Sequence, residues 1–518
     1  MNRIIARTGV PALLFFILLG MCFGENGIFR IQFDNYAAAD IVCSVSLVFI
    51  MFYGGFGTNM KAAKPVIGQA ALLSTLGVAL TAGMVGFFAH FVLQLSWLES
   101  FLTGSVIAST DAASVFGILR SQKLGLKYHT ASLLELESGS NDPMSYMLTA
   151  VCIALMSGFS VSVPVMLAYQ IGIGILCGVL CGKLSVWFLN RFSFGLDAGK
   201  TMFVIALAVL AYALPQVLGG NGYLSVYLCG IWMGNAAISE KKSLVQFFDA
   251  LTGIAQIVIF FLLGLLVTPV ELPKVFLPAL GIMLFMTFAA RPAVAALLLL
   301  PFGASKEQTA VVSWAGLRGV ASIVFAIMAV LAGIPLHYNL FNLVFCIVLL
   351  SIALQGTLLP FVSRQFGMID KEQDVLRTFN DYQEESEICF AKTHIGKTHP
   401  FAGKMVMELS LPPEFLLAMI LRNEERIVPN GRTQLLPGDL LIFAAPEFTD
   451  GENLKLEEKA VGNGSRWAGH SLREIKPPQG TLVITVQRGK QTMIAAGDTR
   501  IEEGDILILA RYAEKTEG

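Results

Sequence analysis

Long apolar segments dominate the first 365 residues and restrict this part of the chain to folds that a lipid bilayer stabilises. A helix needs about 20 predominantly apolar residues to cross a membrane. Only 14% of the chain is charged, against about 25% in a typical soluble domain. We predict an α-helical polytopic membrane domain over residues 1–365. About twelve apolar segments can be counted, with approximate cores at 9–24, 40–59, 66–94, 98–119, 131–157, 163–190, 199–214, 223–238, 250–268, 275–300, 308–333 and 339–363.

Lys and Arg residues are concentrated in every second loop between these segments. In the other loops, Arg30 and Lys274 are almost the only positively charged residues. Because Lys and Arg are retained on the cytoplasmic side, we expect an even number of spans, both termini in the cytoplasm and insertion in the cell (inner) membrane. The apolar run before Gly24 is expected to remain as a short first span. The positively charged residues in the loops assigned to the cytoplasm are Arg3, Arg7, Lys61, Lys64, Arg120, Lys123, Lys127, Arg191, Lys200, Lys241, Lys242, Lys306 and Arg364.

The composition changes after Arg364, where charged residues and turn signals replace the apolar runs. Residues 366–387 are interpreted as a polar linker. The remainder contains an internal repeat with an offset of 66 residues, which aligns Gly438-Asp439 with Gly504-Asp505. We predict two small α+β units, at residues 388–450 and 451–518, each with short strands around a Gly-Asp turn.

Polar residues interrupt the fourth apolar segment at Ser109-Thr110-Asp111. Such side chains compete for backbone hydrogen bonds, so this triplet can break the helix and free carbonyls to line a polar cavity. The alternative is a Ser/Thr packing patch between helices, with the Asp as a cap.

The fifth segment begins with the most polar stretch at membrane depth, Leu134 to Pro143. Glu137, Asn141 and Asp142 lie in it, and acidic side chains inside a membrane indicate a functional site. An interfacial helix N-terminus would account for Glu135 through the helix dipole. Pro143 is expected near the helix start, where its missing N–H costs little.

Two arginines, Arg291 and Arg318, lie in the tenth and eleventh segments. An arginine within the bilayer needs a partner, and Arg318 is expected to pair with Glu137. That pair would leave Asp142 as the carboxylate free to change charge. For Arg291, a buried pair and extension to the cytoplasmic surface are equally compatible with the sequence.

Three motifs together resemble the NhaP type of monovalent cation:proton antiporter. They are Thr110-Asp111, residues 137–142 (Glu-Ser-Gly-Ser-Asn-Asp) and residues 316–319 (Gly-Leu-Arg-Gly). The doubled carboxy-terminal unit resembles the RCK-C (TrkA-C) module of potassium-conductance regulators. The resemblance implies a homodimer with an inverted-repeat antiporter fold, in which two broken helices cross at mid-membrane. That fold has thirteen spans, so a further span ahead of Arg7 is expected.

The resemblance also assigns residues. It places Thr110 and Asp111 at the crossing of the broken helices and matches Glu137, Ser138 and Asp142 to the ion-binding positions, with Arg318 as the partner of Glu137. Arg291 is a further supporting candidate, from the charge argument above. Asn141 matches the amide of electroneutral members. No cofactor is expected beyond the transported potassium or sodium ion and the proton, although a nucleotide effector could bind the carboxy-terminal units.

The mechanism that follows is antiport, with potassium favoured over sodium. Burial favours the neutral form of Asp142, which would hold either a proton or a cation, with oxygens of Thr110 and Ser138 as further ligands. The alternative is a potassium channel-like or regulator-gated permease without proton coupling. A channel would need a Thr-Val-Gly-Tyr-Gly type of filter, and residues 219–223 (Gly-Gly-Asn-Gly-Tyr) do not provide one. Neither an enzyme activity nor nucleic-acid binding is expected.

Overall fold

The computed structural model comprises two compact units, Met1–Tyr382 and Gln383–Gly518. It describes residues 12–25, 27–122, 124–158, 162–192, 197–238, 241–370, 388–396, 399–409, 411, 415–422, 425–446, 454–462, 465, 467–475, 481–488, 491–495 and 497–512. Most of the predicted linker, residues 371–387, lies outside the described residues.

The first unit is helical, and each of the twelve predicted segments overlaps a described helix. Seven of these helices (α2, α3, α7, α8, α10, α11 and α14 below) are long and apolar enough to cross a membrane. The helices are α1 (Ala12–Phe23), α2 (Tyr36–Gly57), α3 (Lys64–Leu93), α4 (Trp97–Ile107), α5 (Ala112–Ser121), α6 (Thr130–Met156), α7 (Val163–Arg191), α8 (Asp197–Val217), α9 (Gly222–Gly234), α10 (Lys241–Leu266), α11 (Leu272–Phe302), α12 (Lys306–Trp314), α13 (Val320–Leu331) and α14 (Leu340–Gln365).

Polar caps explain where several of these helices begin. The side chains of Asn35, Ser96, Asn221, Ser305 and Asn339 each accept a hydrogen bond from the backbone N–H three residues later. Such caps satisfy one of the backbone donors that the first helical turn leaves unpaired.

Two of the predicted segments are broken in the middle. The fourth is split into α4 and α5 by residues 108–111, and the eleventh into α12 and α13 by residues 315–319. The first break is the predicted Ser-Thr-Asp triplet, and the second contains Gly316 and Gly319. Both breaks thus contain residues that destabilise a continuous helix.

A two-residue antiparallel ribbon joins the end of the first unit to the segment between α5 and α6. Strand β1 (Gly125–Leu126) pairs with β2 (Ile369–Asp370). The Lys127 backbone N–H donates to the carbonyl of Met368 at 3.0 Å. The chain therefore leaves the membrane domain through a strand that is paired next to α6.

The second unit contains two four-stranded antiparallel sheets, with strand orders β3-β6-β4-β5 and β7-β10-β8-β9. Their identical topology confirms the predicted repeat. The strands are β3 (Ile388–His394), β4 (Leu416–Arg422), β5 (Glu425–Ile427), β6 (Leu440–Pro446), β7 (Leu454–Ala460), β8 (Thr481–Arg488), β9 (Gln491–Ile494) and β10 (Ile506–Tyr512).

Each Gly-Asp turn of the repeat is held by an arginine from a neighbouring strand. Asp439 accepts hydrogen bonds from Arg422 at 2.7 and 2.8 Å, and Asp505 accepts two from Arg488 at 2.9 Å. Both aspartates are buried. The guanidinium groups hold the pKa of each carboxyl below its usual range, because they favour the charged form.

Candidate functional site

The two helix breaks contact each other inside the membrane domain. The backbone N–H of Asp111 donates to the carbonyl of Leu317 at 2.9 Å. Arg318 is 1% exposed, and its Nη1 donates to the carbonyls of Ala108 and Ser109, both at 2.7 Å. These contacts satisfy backbone groups that the breaks release from helical bonding.

The approach of the two breaks requires a glycine at position 319. A Cβ atom on Gly319 would lie 2.1 Å from Oδ2 of Asp111, so even alanine would displace one of the breaks. The Asp111 carboxylate also accepts a hydrogen bond from the Ser114 hydroxyl at 2.6 Å and one from its backbone N–H at 3.3 Å. Asp111 thus caps α5 and contacts the second break.

Helix α6 faces the first break with the residues that the sequence singled out. The Ser138 hydroxyl donates to the Thr110 carbonyl at 2.5 Å and lies 3.2 Å from the Thr110 hydroxyl. Asn141 donates to that hydroxyl at 2.5 Å. The Ser109 hydroxyl donates to Oδ1 of Asp142 at 2.5 Å. Thr110, Ser138, Asn141 and Asp142 are therefore brought together, and Ser109 joins them although the sequence analysis gave it no role of its own.

A cavity of about 290 Å³ opens beside this cluster. Its lining includes four carboxylates, those of Asp111, Glu135, Asp142 and Asp249, and no Lys or Arg among the described residues. A cleft lined by one sign of charge concentrates counter-ions. The arrangement therefore favours cations at the Asp142 carboxylate.

Asp249 was missed by the sequence analysis because the predicted span began one residue after it. The structure extends α10 back to Lys241, so Asp249 lies within the helix and lines the cavity. Its Oδ1 accepts a hydrogen bond from the Tyr53 hydroxyl at 2.9 Å. In the sequence, Asp249 is a single carboxylate directly ahead of a long uncharged run, and this pattern could have identified it as a candidate site residue.

The prediction that Arg318 pairs with Glu137 is wrong. Glu137 forms a buried salt bridge with Arg291, and the two side chains are 1% and 4% exposed. The physical reason is that Arg318 donates to the carbonyls of the first break, whereas Arg291 follows a π-helical turn, residues 286–290, and reaches Glu137. The open question for Arg291 is therefore resolved in favour of a buried pair.

Two further expectations for α6 are corrected. Pro143 lies inside the helix, because α6 begins at Thr130 and continues through the polar stretch. Glu135 is 6% exposed and lines the cavity. It is buried because residues spaced three or four apart share a helix face, which places it on the same face as Ser138 and Asp142.

The resulting site has the chemistry of an alkali-cation site. Its polar atoms are hydroxyls, amides, carbonyls and carboxylates, all of which offer hard oxygens. Among the described residues, no group of three or more His, Cys, Asp or Glu side chains could hold a metal ion. The hydrogen bond that Asp142 accepts from Ser109 comes from a neutral hydroxyl, so it leaves the charge of this carboxylate unbalanced.

Comparison with known proteins agrees with this chemistry. Residues 2–365 match the family described as sodium/hydrogen exchanger, transmembrane, and residues 394–447 and 456–511 match the TrkA-C domain. The K(+)/H(+) antiporter NhaP2 of Shewanella sp. (strain ANA-3) is 34% identical over 455 residues, which cover 86% of this chain and 79% of that protein. The K(+)/H(+) antiporter NhaP of Alkalimonas amylolytica is 37% identical over 362 residues, 69% of this chain and 63% of that protein.

Among solved structures, the chain is similar to the sodium proton antiporter MjNhaP1 from Methanocaldococcus jannaschii at pH 8. The TM-score is 0.61 with 24% sequence identity, and the match covers 68% of this chain and 95% of that one. This likeness shows the antiporter fold.

Proposed function

This chain belongs to the sodium/hydrogen exchanger family and is a multi-pass membrane cation/proton antiporter, and from that premise we propose that it exchanges potassium for protons one for one. The choice of potassium is supported by the relatives named K(+)/H(+) antiporter. Sodium is the second candidate, because the solved relative is named a sodium proton antiporter. No finding favours a channel.

The observation that carries the proposal is the position of Asp142, which is 8% exposed at the cation-attracting cavity. Its carboxylate holds either a proton or a cation, and hydroxyl oxygens of Thr110 and Ser138 are further ligands of the cation. The charge of Glu137 is compensated by Arg291, and Asn141 is a neutral amide. Among residues 137–142, Asp142 is therefore the carboxylate left to exchange a proton for a cation, and we assign one unit of charge to each half of an electroneutral cycle.

Alternating access then follows from electrostatics. The site is neutral when it carries a proton or a monovalent cation and negative when it carries neither. Moving an uncompensated charge through the low-dielectric centre of the membrane is costly, so only a loaded site crosses. We assign this crossing to a rigid-body movement of one helix bundle within each subunit of a homodimer.

The cavity is proposed to open to the cytoplasm, with both termini on that side. Asp249 lies about two helical turns after Lys241 and Lys242, which begin α10, and Glu135 lies in the second turn of α6, eight residues after Lys127. The distribution of positive charge assigns both basic stretches to the cytoplasmic side.

Replacement of Asp142 by asparagine tests the proposal. D142N preserves the size of the side chain but cannot exchange a proton for a cation, so potassium-driven proton flux in proteoliposomes should fall to the level of empty vesicles. The matched control is D34N, which removes the same charge from an exposed site outside the cavity and should retain exchange. Retained exchange in D142N would refute the assignment. Parallel measurements with potassium and sodium on the unaltered protein identify the cation.

The carboxy-terminal units are proposed to regulate exchange by binding a small effector of the nucleotide class. Support comes from the TrkA-C matches and from the β1–β2 ribbon, because the strand that leads into this unit is paired between the two site elements α5 and α6. Deleting the residues after 375 should change the pH and cation response of exchange. An unchanged response would leave the units with a stabilising role only.

A further inference from the structure

Pro143 changes the hydrogen bonding of α6 next to the ion site. It lies inside the helix and has no backbone N–H, so the i→i−4 hydrogen bond that would close on the carbonyl of Gly139 cannot form. The proline ring also clashes sterically with that carbonyl in a regular helix. The carbonyl oxygen of Gly139 therefore keeps its lone pairs available for another partner.

Gly139 is on the face of α6 that lines the cavity. Glu135, Ser138, Gly139 and Asp142 all line it, as expected for residues three and four apart on one helix face. The backbone of Gly139 thus borders the cavity, and Gly139 precedes Asp142 by three residues, about one helical turn.

The surrounding structure holds this backbone in place. Asn221 is fully buried and donates from Nδ2 to the carbonyl of Pro143 at 2.9 Å. On the other side, the Tyr227 ring packs so closely that a Cβ atom on Gly139 would lie 2.6 Å from Cε2. Both contacts restrict movement of the helix at the proline.

A buried oxygen beside this backbone also lacks a protein partner. Asn141 is 0% exposed, and its Oδ1 accepts no hydrogen bond from the described residues. The amide is oriented by the hydrogen bond from its Nδ2 to Thr110. A buried oxygen without a hydrogen-bond donor among the described residues thus lies two residues from Gly139.

We propose that the carbonyl oxygen of Gly139, released by Pro143, is a ligand of the transported cation and favours potassium over sodium. A carboxylate oxygen has a strong field that suits the smaller ion, whereas additional neutral carbonyl dipoles suit the larger one by replacing its weaker hydration shell. Pro143 is thereby a specificity-determining residue. This inference rests on the proposed cation exchange at Asp142.

The test is P143A, which restores the N–H that would bond the Gly139 carbonyl. Proton flux in proteoliposomes is measured over a range of potassium and sodium concentrations. The KM for potassium should rise relative to that for sodium by about three- to tenfold, the factor carried by one contact of hydrogen-bond strength. A bound cation raises the temperature of thermal unfolding. The rise caused by potassium, divided by the rise caused by sodium, should be smaller for purified P143A than for the unaltered protein.

The matched control is P278A. Pro278 is also buried inside a helix, but it does not line the cavity, so its removal should leave the potassium-to-sodium ratio unchanged. Hydrogen exchange of the new amide at position 143 reports directly whether the helical bond has formed. P143G restores the same N–H without adding a side chain, and it replaces P143A in these measurements if P143A is unstable.

The outcomes separate this inference from the proposed function. If the unaltered protein exchanges neither cation for protons, the proposed function fails. If it does exchange and the amide at position 143 is protected, a KM ratio within twofold of the original would overturn the role of the Gly139 carbonyl.

Discussion

The buried pair between Arg291 and Glu137 gives a quantitative prediction for stability. Replacing Arg291 with methionine leaves Glu137 as an uncompensated charge in a site where the two side chains are 4% and 1% exposed. Breaking such a pair costs about 3–5 kcal/mol. Oε2 of Glu137 accepts no hydrogen bond from the described residues, so no other donor compensates the loss. We expect R291M to lie in the upper half of that range.

A double-mutant cycle identifies the source of this cost. E137Q alone leaves Arg291 buried without its anion, so it should also be strongly destabilising. The double variant R291M/E137Q contains neither buried charge and should be more stable than either single variant. Arg191, which is exposed at the end of α7, supplies the control: R191M should change stability by less than about 1 kcal/mol.

The assay is the free energy of unfolding of the purified protein in detergent, obtained from denaturant titration of all four variants. The reasoning would be refuted by an R291M variant within about 1 kcal/mol of the unaltered protein. It would also be refuted by strictly additive effects in the double variant, because additivity means that the two side chains are not energetically coupled.

Two further predictions concern the crossing of the breaks and the carboxy-terminal unit. G319A places a Cβ atom 2.1 Å from Oδ2 of Asp111 and should reduce proton flux at least tenfold. The control is G83A, whose Cβ meets nothing within 4 Å and lies outside the cavity lining, so it should retain flux; equal flux in the two variants would contradict the close approach. Because the pKa of Asp439 is lowered by Arg422, their interaction stabilises the unit above about pH 4 and is lost as the pH falls through the lowered pKa. The difference in urea stability between the unaltered chain and R422M should therefore shrink from pH 6 towards pH 2, and a constant difference would exclude this linkage.

Much of the membrane domain could be predicted because its signals are local. A span is recognised from a continuous apolar run, and a helix break from a few adjacent Ser, Thr, Asp or Gly residues. The repeat in the second unit was visible for the same reason, since each copy contains its own Gly-Asp turn. The similarity of the site motif to NhaP-type antiporters then brought Thr110, Ser138 and Asp142 into one hypothesis. In the structure Thr110 contacts Ser138, and all three residues line one cavity.

The errors arose where the outcome depends on residues distant in sequence. Both Arg291 and Arg318 could have paired with Glu137, and the sequence does not contain the distances that decide between them. Asp249 was left outside the predicted span, which began one residue after it, and the packing of α10 against the cavity could not be inferred from the sequence. Pro143 was misplaced because a proline signal is the same at the start of a helix and in its interior.

A membrane domain with two interrupted helices, an acidic site in the fifth segment and a repeated carboxy-terminal unit can all be recognised from the sequence. These are properties of neighbouring residues, which restrict the backbone wherever the chain finally packs. The packed structure was needed to establish that Arg291 neutralises Glu137, that Arg318 binds the carbonyls of the first break, and that Gly139, four residues before Pro143, lines the cavity together with Asp142. Electrostatic and hydrogen-bond partners are selected by distances of a few ångströms, and those distances exist only after the helices have packed.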